Sequence, residues 1–391
     1  MKLLYFIPAL YNHGGMERVL SQKVNFLADY LGYQIVLVTT DQDNRPAAFM
    51  LSDKICLIHL DINFSTHYNK PLFLKLVYHY IKLNKYKKEI YKILKNEKPD
   101  VLISLGGKEI DFLYKLKTSA RKVCEMHFSM NVRKLFLSSR KQSFVWKLMG
   151  DIRTNQLKRN TRKLDKLVVL TKQDKAQWEL THKNVINIVN PNPFQPVERK
   201  IVDSKIAISV GRLDEQKGYT ILIDSWKLVA DKHPDWKLYI FGAGELKQEL
   251  TDKIIKSELR DKVYLKGLSN EIEKEYMSAS FFVMSSLYEG LPLVLLEAMS
   301  FGLPVVSFDC EWGPRELIQD GKNGFLVPVK DTKGLATKIN QLIENLQLRS
   351  QMSIEATKTS GQYDIKIVMD QWDKMFKVLV GEVRDETKNE N

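Results

Sequence analysis

KIAISVGRLDEQKGY (205–219) is the stretch on which the fold turns. Its apolar run, Ile206–Val210, reads as a buried strand. Gly211 and Gly218 bracket a short charged loop, and an amphipathic, helix-forming stretch follows. Strand, glycine turn and helix in that order make one βα unit. The unit recurs downstream: WKLYIFGAGE (236–245), KVYLKGL (262–268), SFFVMSS (280–286), PVVSFDC (304–310) and GFLVPV (324–329) are apolar runs separated by amphipathic stretches. This alternation predicts a parallel sheet with helices on its faces.

The same rhythm runs through the first half, in KLLYFIP (2–8), QIVLVTT (34–40), CLIHLDI (56–62), VLISLG (101–106), KVCEMHF (122–128) and KLVVLT (166–171). Between the halves, the three prolines of NIVNPNPFQPVE (187–198) interrupt regular structure. The chain therefore reads as α/β, with two Rossmann-like, doubly wound domains facing across a cleft. The expected boundaries are 1–190 for the first domain, 191–200 for a linker, 201–363 for the second domain and 364–391 for a C-terminal helix and frayed tail. Ile365, Val368, Met369, Trp372, Met375, Phe376 and Leu379 fall at helical spacing, and the helix is expected to pack back toward the first domain. In such sheets ligands bind beyond the carboxyl ends of the strands.

The 391 residues suit two domains of roughly 180–200 residues each. The net charge of +13 is uneven: residues 1–200 carry 35 Lys+Arg against 17 Asp+Glu, whereas the remainder carries 25 against 30. A basic half beside a mildly acidic one points to an anionic partner for the first half alone. Cys56, Cys124 and Cys310 are far apart and match no metal or redox spacing, which favours reduced, mostly buried thiols and a cytoplasmic setting. The apolar start, MKLLYFIPALYNHGG, reads as a first strand rather than a signal peptide. No run approaches the ~20 apolar residues of a spanning helix.

Chemistry concentrates in two stretches of the second half. In VGRLDEQKGY (210–219), Arg212 and Lys217 sit on a strand-to-helix loop where glycines allow close backbone approach, a suitable cradle for a diphosphate. The loop is neither a Walker loop nor a dinucleotide fingerprint; a charged surface turn is the competing reading. In SSLYEGLPLVLLEAMSFGLPVV (285–306), Glu289 precedes a turn, Gly290-Leu291-Pro292, with Pro292 suited to the first helical turn. The backbone of Gly290 and Leu291 can face an anion. Glu297 lies in an otherwise apolar helix, where a carboxylate needs a partner, and it suits the paired hydroxyls of a ribose.

GRL…QKG followed by EG-LPLVLLEA resembles the glycosyltransferases of family 4, which have the GT-B fold. The resemblance extends from GGMERVL (14–20) to the GPREL and NGFLV segments near 313–327, and is nearest to members that build surface polysaccharides or lipid-linked oligosaccharides. It implies an enzyme that retains anomeric configuration and uses a nucleotide sugar, first a UDP-sugar with GDP left open, and a saccharide or lipid-linked acceptor. It implies no cofactor and no metal. Arg212 and Lys217 would hold the donor diphosphate, and Glu297 the ribose. Glu289 would lie near the transferred sugar, Gly290, Leu291 and Pro292 near the sugar or phosphate, and Gly267 and Leu268 near the base.

In the first half, the resemblance sets Gly14 and Gly15 beside the donor phosphate, with Glu17 or Arg18 touching the acceptor or capping the helix. His127 ends a strand at the carboxyl edge, where the family has a histidine near the donor sugar; a structural histidine is the alternative. His13 is a lesser candidate, Gly242 and Gly244 read as turn glycines, and Arg315 and Glu316 have no assigned contact. Basic residues interleave with Leu135, Phe136, Leu137, Phe144, Trp146 and Leu148 in 132–163, which suggests peripheral contact with an anionic membrane. The lysine-rich stretch 78–98 reads instead as a solvated helix face. Rival readings are another GT-B enzyme, an epimerase or phosphorylase, or a nucleic-acid-binding protein. The last has charge in its favour, but no recognition motif.

Overall fold

The apolar runs become parallel strands. The computed structural model describes residues 1–67, 72–128, 130, 144–197 and 204–381. It resolves into two units, Met1–Pro191 with Ile365–Asn391, and Asn192–Asp364.

In the first unit the strands are β1 (Lys2–Ile7), β2 (Gln34–Thr39), β3 (Cys56–His59), β4 (Val101–Ser104), β5 (Arg121–Met126), β6 (Lys166–Val169) and β7 (Val185–Asn187). They form a sheet in the order β3-β2-β1-β4-β5-β6-β7, with parallel pairing throughout. Helices α1 (Gly15–Asp29), α2 (Leu72–Glu97), α3 (Phe144–Thr161) and α4 (Lys172–Glu179) connect them. Side chains alternate between the two faces of the sheet. Leu3, Tyr5, Val123 and Val168 pack with Leu20 and Val24 of α1. Leu4, Phe6, Cys124 and Leu167 pack on the opposite face with Ile90 of α2 and Trp178 of α4.

The second unit contains β8 (Ile206–Val210), β9 (Lys237–Phe241), β10 (Val263–Gly267), β11 (Phe281–Met284), β12 (Val305–Phe308) and β13 (Gly324–Val327), in the order β10-β9-β8-β11-β12-β13. Its helices are α5 (Tyr219–Lys232), α6 (Lys247–Lys256), α7 (Ile272–Ser278), α8 (Leu293–Ser300), α9 (Pro314–Leu317), α10 (Thr332–Glu344) and α11 (Leu346–Gly361). Trp226, Leu238, Phe281 and Phe308 belong to its core, and Trp236 stacks on Phe281. The order steps outward from β8 in both directions, so the strand ends around β8 and β11 form the topological switch where such sheets bind ligands.

Two expectations need correction. Of the expected linker 191–200, the described residues from Asn192 on belong to the second unit: Asn192 donates its backbone N–H to Tyr363 O and its side-chain amide to Ser300 Oγ, and Val197 N–H bonds Ser300 O. The prolines remove donors, but the residues between them still supply enough to seat Asn192–Val197 in the second unit. Secondly, β7, just ahead of the proline-rich stretch, pairs with β6 where no strand was expected. Three residues are too short to show a period.

The final helix, α12 (Ile365–Val380), belongs to the first unit, with Val368, Met369, Trp372, Met375 and Phe376 buried in the same core as Leu3 and Leu20.

Candidate active site

The loop after β8 is built by close backbone approach. A Cβ on Gly242 would lie 1.9 Å from Gly211 O, and one on Gly244 2.3 Å from Leu213 O. Neither position accepts a side chain, so these glycines are more than turn residues. Leu213 N–H bonds Ala243 O, and Gly242 N–H bonds Gly267 O, linking the loops after β8, β9 and β10. Gly218, at φ +61, would place a Cβ 2.3 Å from Ser285 O. Ser285 Oγ donates to Lys217 O, and the Gln216 side chain donates to Tyr288 O. The 211–218 loop is thereby fixed onto 285–289.

On this frame Lys217 Nζ meets Glu289 Oε1 at 2.6 Å, with side chains only 14% and 9% exposed. Arg212 is exposed, held by Asp214 at 3.1 Å and by Gln216. Asp214 also accepts from Lys217 N–H, capping the short turn that carries the lysine. Cys310 is buried near this pair; burial first, and the Glu289 carboxylate second, push its thiol far above the usual range, so it stays protonated. Half-burial raises Tyr288 in the same way, aided by Asp214.

Glu297 is 6% exposed and accepts from Tyr276 OH at 2.9 Å, the partner its apolar setting requires. Pro292 is the N-cap of α8 at ψ 95, not a residue of the first turn. Leu291 is buried, Gly290 half-buried. A Cβ on Gly313, at φ +92, would lie 2.0 Å from Gly290 O, so the turn before α9 closes against Gly290. Arg315 there pairs with Asp309 through Nε at 2.5 Å. Gly267, at φ +74, faces open space, and Leu268 is 73% exposed.

In the first unit, Gly14 is the N-cap of α1 and makes no side-chain cap. Glu17, in the first turn and buried, folds back so that a Cβ on Gly14 would lie 2.4 Å from its Oε2, and Asn12 Nδ2 donates to its Oε1 at 3.1 Å. The carboxylate thus stands at the positive end of α1 beside Gly14 and Gly15 and competes with any phosphate there. His13 is exposed and meets Phe49 edge-on.

His127 follows β5 and is 8% exposed. Its Nε2 lies 3.2 Å from Glu125 Oε1, and that oxygen accepts from Lys23 Nζ of α1 at 2.6 Å. Burial alone would raise the Glu125 pKa, but Lys23 and then His127 outweigh it and bring the carboxyl to about 2. Burial lowers Lys23 below its ordinary range, and Glu125 opposes the shift. The sequence singled out His127 but neither partner. Asp214, Gln216, Tyr276 and Tyr288 were missed as well, although Asp214 ahead of a turn was a readable cap signal.

Among the described residues, no three His, Cys, Asp or Glu side chains gather as a metal site, and no helix is long and apolar enough to cross a membrane. Of the expected membrane segment, Leu135, Phe136 and Leu137 lie outside the described residues. Leu148 and Ile152 of α3 are exposed. On α2, Tyr86 and Ile90 are buried, whereas Tyr80 and Ile81 are exposed, so the solvated face expected for 78–98 also presents apolar surface. Cys56 is exposed, Cys124 and Cys310 buried.

Residues 192–359 match the model of the family described as glycosyl transferases group 1. An uncharacterized glycosyltransferase of Haemophilus influenzae is 30% identical over 376 residues, covering 95% of this chain and 98% of its own. The amylovoran biosynthesis glycosyltransferase AmsD of Erwinia amylovora is 29% identical, with 96% and 99% covered. The crystal structure of an S. aureus TarM mutant, in complex with fondaparinux, α-GlcNAc-glycerol and UDP, superposes with a TM-score of 0.79 at 17% identity, covering 96% of this chain and 99% of that one; it shares the two-sheet α/β fold. With near-full-length identity to a glycosyltransferase and a matching family model over its second unit, the chain belongs to the group 1 glycosyl transferases and is a hexosyltransferase-type enzyme.

Proposed function

We propose that this glycosyltransferase moves a hexose or N-acetylhexosamine from a UDP-sugar to a saccharide or lipid-linked saccharide during surface polysaccharide or glycan assembly, with retention at the anomeric carbon. The observation that carries the donor half is the Lys217–Glu289 contact at 2.6 Å, on a loop that three glycines lock in place. An ammonium has three donors and Glu289 takes one, leaving others for phosphate oxygens. Arg212, at the exposed rim, adds a second cation. The pathway is favoured by similarity to AmsD, whose name places it in amylovoran biosynthesis. UDP is favoured by the UDP bound to TarM.

In this reading the acceptor hydroxyl oxygen attacks the anomeric carbon on the face that the diphosphate leaves. The bond from that carbon to the phosphate oxygen breaks, and the acceptor proton passes to the departing phosphate. Lys217 and Arg212 stabilise the charge that develops there, and Glu297 takes the ribose hydroxyls. Glu289 lies against the transferred sugar, with Gly290, Leu291 and Pro292 beside it; Gly267 and Leu268 rim the base. His127 is a candidate polar group of the first unit, read as near the donor sugar from the family resemblance. Gly14 and Gly15 keep a weaker claim on phosphate because of Glu17. Two cations replace a divalent ion, so activity should survive EDTA.

A screen of UDP-glucose, UDP-galactose, UDP-GlcNAc, UDP-GalNAc and GDP-mannose for thermal stabilisation and slow hydrolysis tests the donor. Binding by none of these sinks the reading. The protein is also read as peripheral at the cytoplasmic membrane face, supported by exposed Leu148 and Ile152 among basic residues. Flotation with vesicles containing phosphatidylglycerol tests this, and failure to float at low salt removes it.

A further inference from the structure

Lys23 and Glu125 are each 1% exposed, which is an unusual place for two charges. A buried ion pair is a poor stabilising device, since apolar residues of the same volume generally serve as well or better. Its position is more telling than its energy. Glu125 and His127 are two residues apart at the end of β5, so both project to the same face as Val123, while Cys124 and Met126 project to the other. That face is covered by α1, which brings Lys23, and by α12, which brings Trp372. Lys23 Nζ stands 3.6 Å from the centre of the Trp372 ring, a cation–π contact in a site without solvent. Indole face, ammonium, carboxylate and imidazole thus form one row from the C-terminal helix to the carboxyl edge of the sheet.

We propose that Lys23 and Glu125 are positioning residues for His127, and that α12, through Trp372, completes the support. The carboxylate only accepts hydrogen bonds. At 3.2 Å from Nε2 it favours the tautomer that carries its proton there and leaves Nδ1 as the acceptor. The contact is not an aligned hydrogen bond, so the carboxylate acts by charge, holding the Nε2 edge of the ring toward itself. Lys23 keeps Glu125 ionised, and Trp372 keeps Lys23 in place. Any catalytic consequence rests on the role proposed for His127; the orientation of the ring does not.

The test uses the full chain labelled with 15N-histidine, the His127 ring signals being assigned by their loss in His127→Gln. The wild type is expected to show the Nε2–H tautomer alone. The double variant Lys23→Met/Glu125→Gln is expected to average both tautomers and to lower kcat at least tenfold, with KM for the UDP-sugar that the wild type hydrolyses changed less than about threefold. A merely structural pair would leave the His127 signals unmoved, and that result overturns the proposal. Trp372→Leu provides a second approach should the double variant not fold: it should shift the same signals, and unaltered signals again count against it. Wild-type turnover in His127→Gln would remove the catalytic reading of His127, while the ring signals would still decide whether the pair orients it.

Discussion

Among the described residues, a Lys–Glu contact in each unit has the same length, 2.6 Å, and the two are opposite in kind. Lys217–Glu289 joins two loops at the carboxyl edge of a sheet, part exposed, with donors to spare. Lys23–Glu125 lies beneath such an edge, 1% exposed, with a ring over the ammonium and an imidazole beside the carboxylate. Distance alone does not distinguish them. Burial does, because it sets the cost of breaking the pair. The Lys217–Glu289 side chains, 14% and 9% exposed, keep some contact with water when one partner goes, whereas a charge only 1% exposed keeps none. The first pair is suited to exchanging partners with a ligand, and the second to holding its neighbours still.

The largest effect expected from this contrast is on stability. Lys23→Met should cost about 3–5 kcal/mol by leaving the buried Glu125 without its lysine, whereas Lys217→Met should cost less, because Glu289 keeps some contact with water. Urea unfolding of both variants gives the comparison; equal losses would mean that the two pairs are energetically alike.

Acid should reveal the same asymmetry. Glu125 has its pKa depressed from 4.5 to about 2 in the fold. A depressed carboxyl contributes stability above its unfolded pKa and loses it as pH falls through the folded value. The window therefore runs from pH 4.5 down to about 2, and the loss across it is about 3 kcal/mol. Thermal unfolding against pH should fall more steeply there in the wild type than in Lys23→Met/Glu125→Gln. Parallel curves would show that Glu125 is not held ionised by its neighbours.

For turnover the ranking reverses. Lys217→Ala should reduce donor turnover by more than about a hundredfold, about 2.7 kcal/mol of transition-state stabilisation, with the fold intact. Near-wild-type rates would remove the lysine from the phosphate site and leave its contact with Glu289 structural.

The two pairs were also unequally legible in the sequence. Lys217 and Glu289 were both singled out, because glycine punctuation and an acid before a turn mark a strand-to-helix site. Their contact was not foreseen, since it spans 72 residues and no local period reports it. Lys23 and Glu125, 102 residues apart, were not singled out at all. The available signal was the alternation Val123, Glu125, His127, which puts a carboxylate on an apolar face with no visible partner. The α12 helix was readable from its apolar spacing. The seating of Asn192–Val197 was not, because it depends on single side-chain and backbone hydrogen bonds between prolines.

The smallest effect concerns Glu297, one of whose partners is a neutral hydroxyl. Tyr276 OH donates to its Oε2 from 21 residues away. Tyr276 is fully buried and its ring stacks on Phe301, so Phe would fill the same volume. Tyr276→Phe therefore removes one hydrogen bond to a charged group, about 1.5–3 kcal/mol if nothing replaces it and less if ribose hydroxyls then take both oxygens. If Glu297 takes the ribose, the loss should appear as a weaker KM for the UDP-sugar, about five- to tenfold, with kcat nearly unchanged, since ribose contacts are the same before and during transfer. A lowered kcat with constant KM would move Glu297 from nucleotide binding to the reacting centre. It would then belong with Lys217 and Glu289, and the second unit's chemistry would extend from the loop into the helix that follows it.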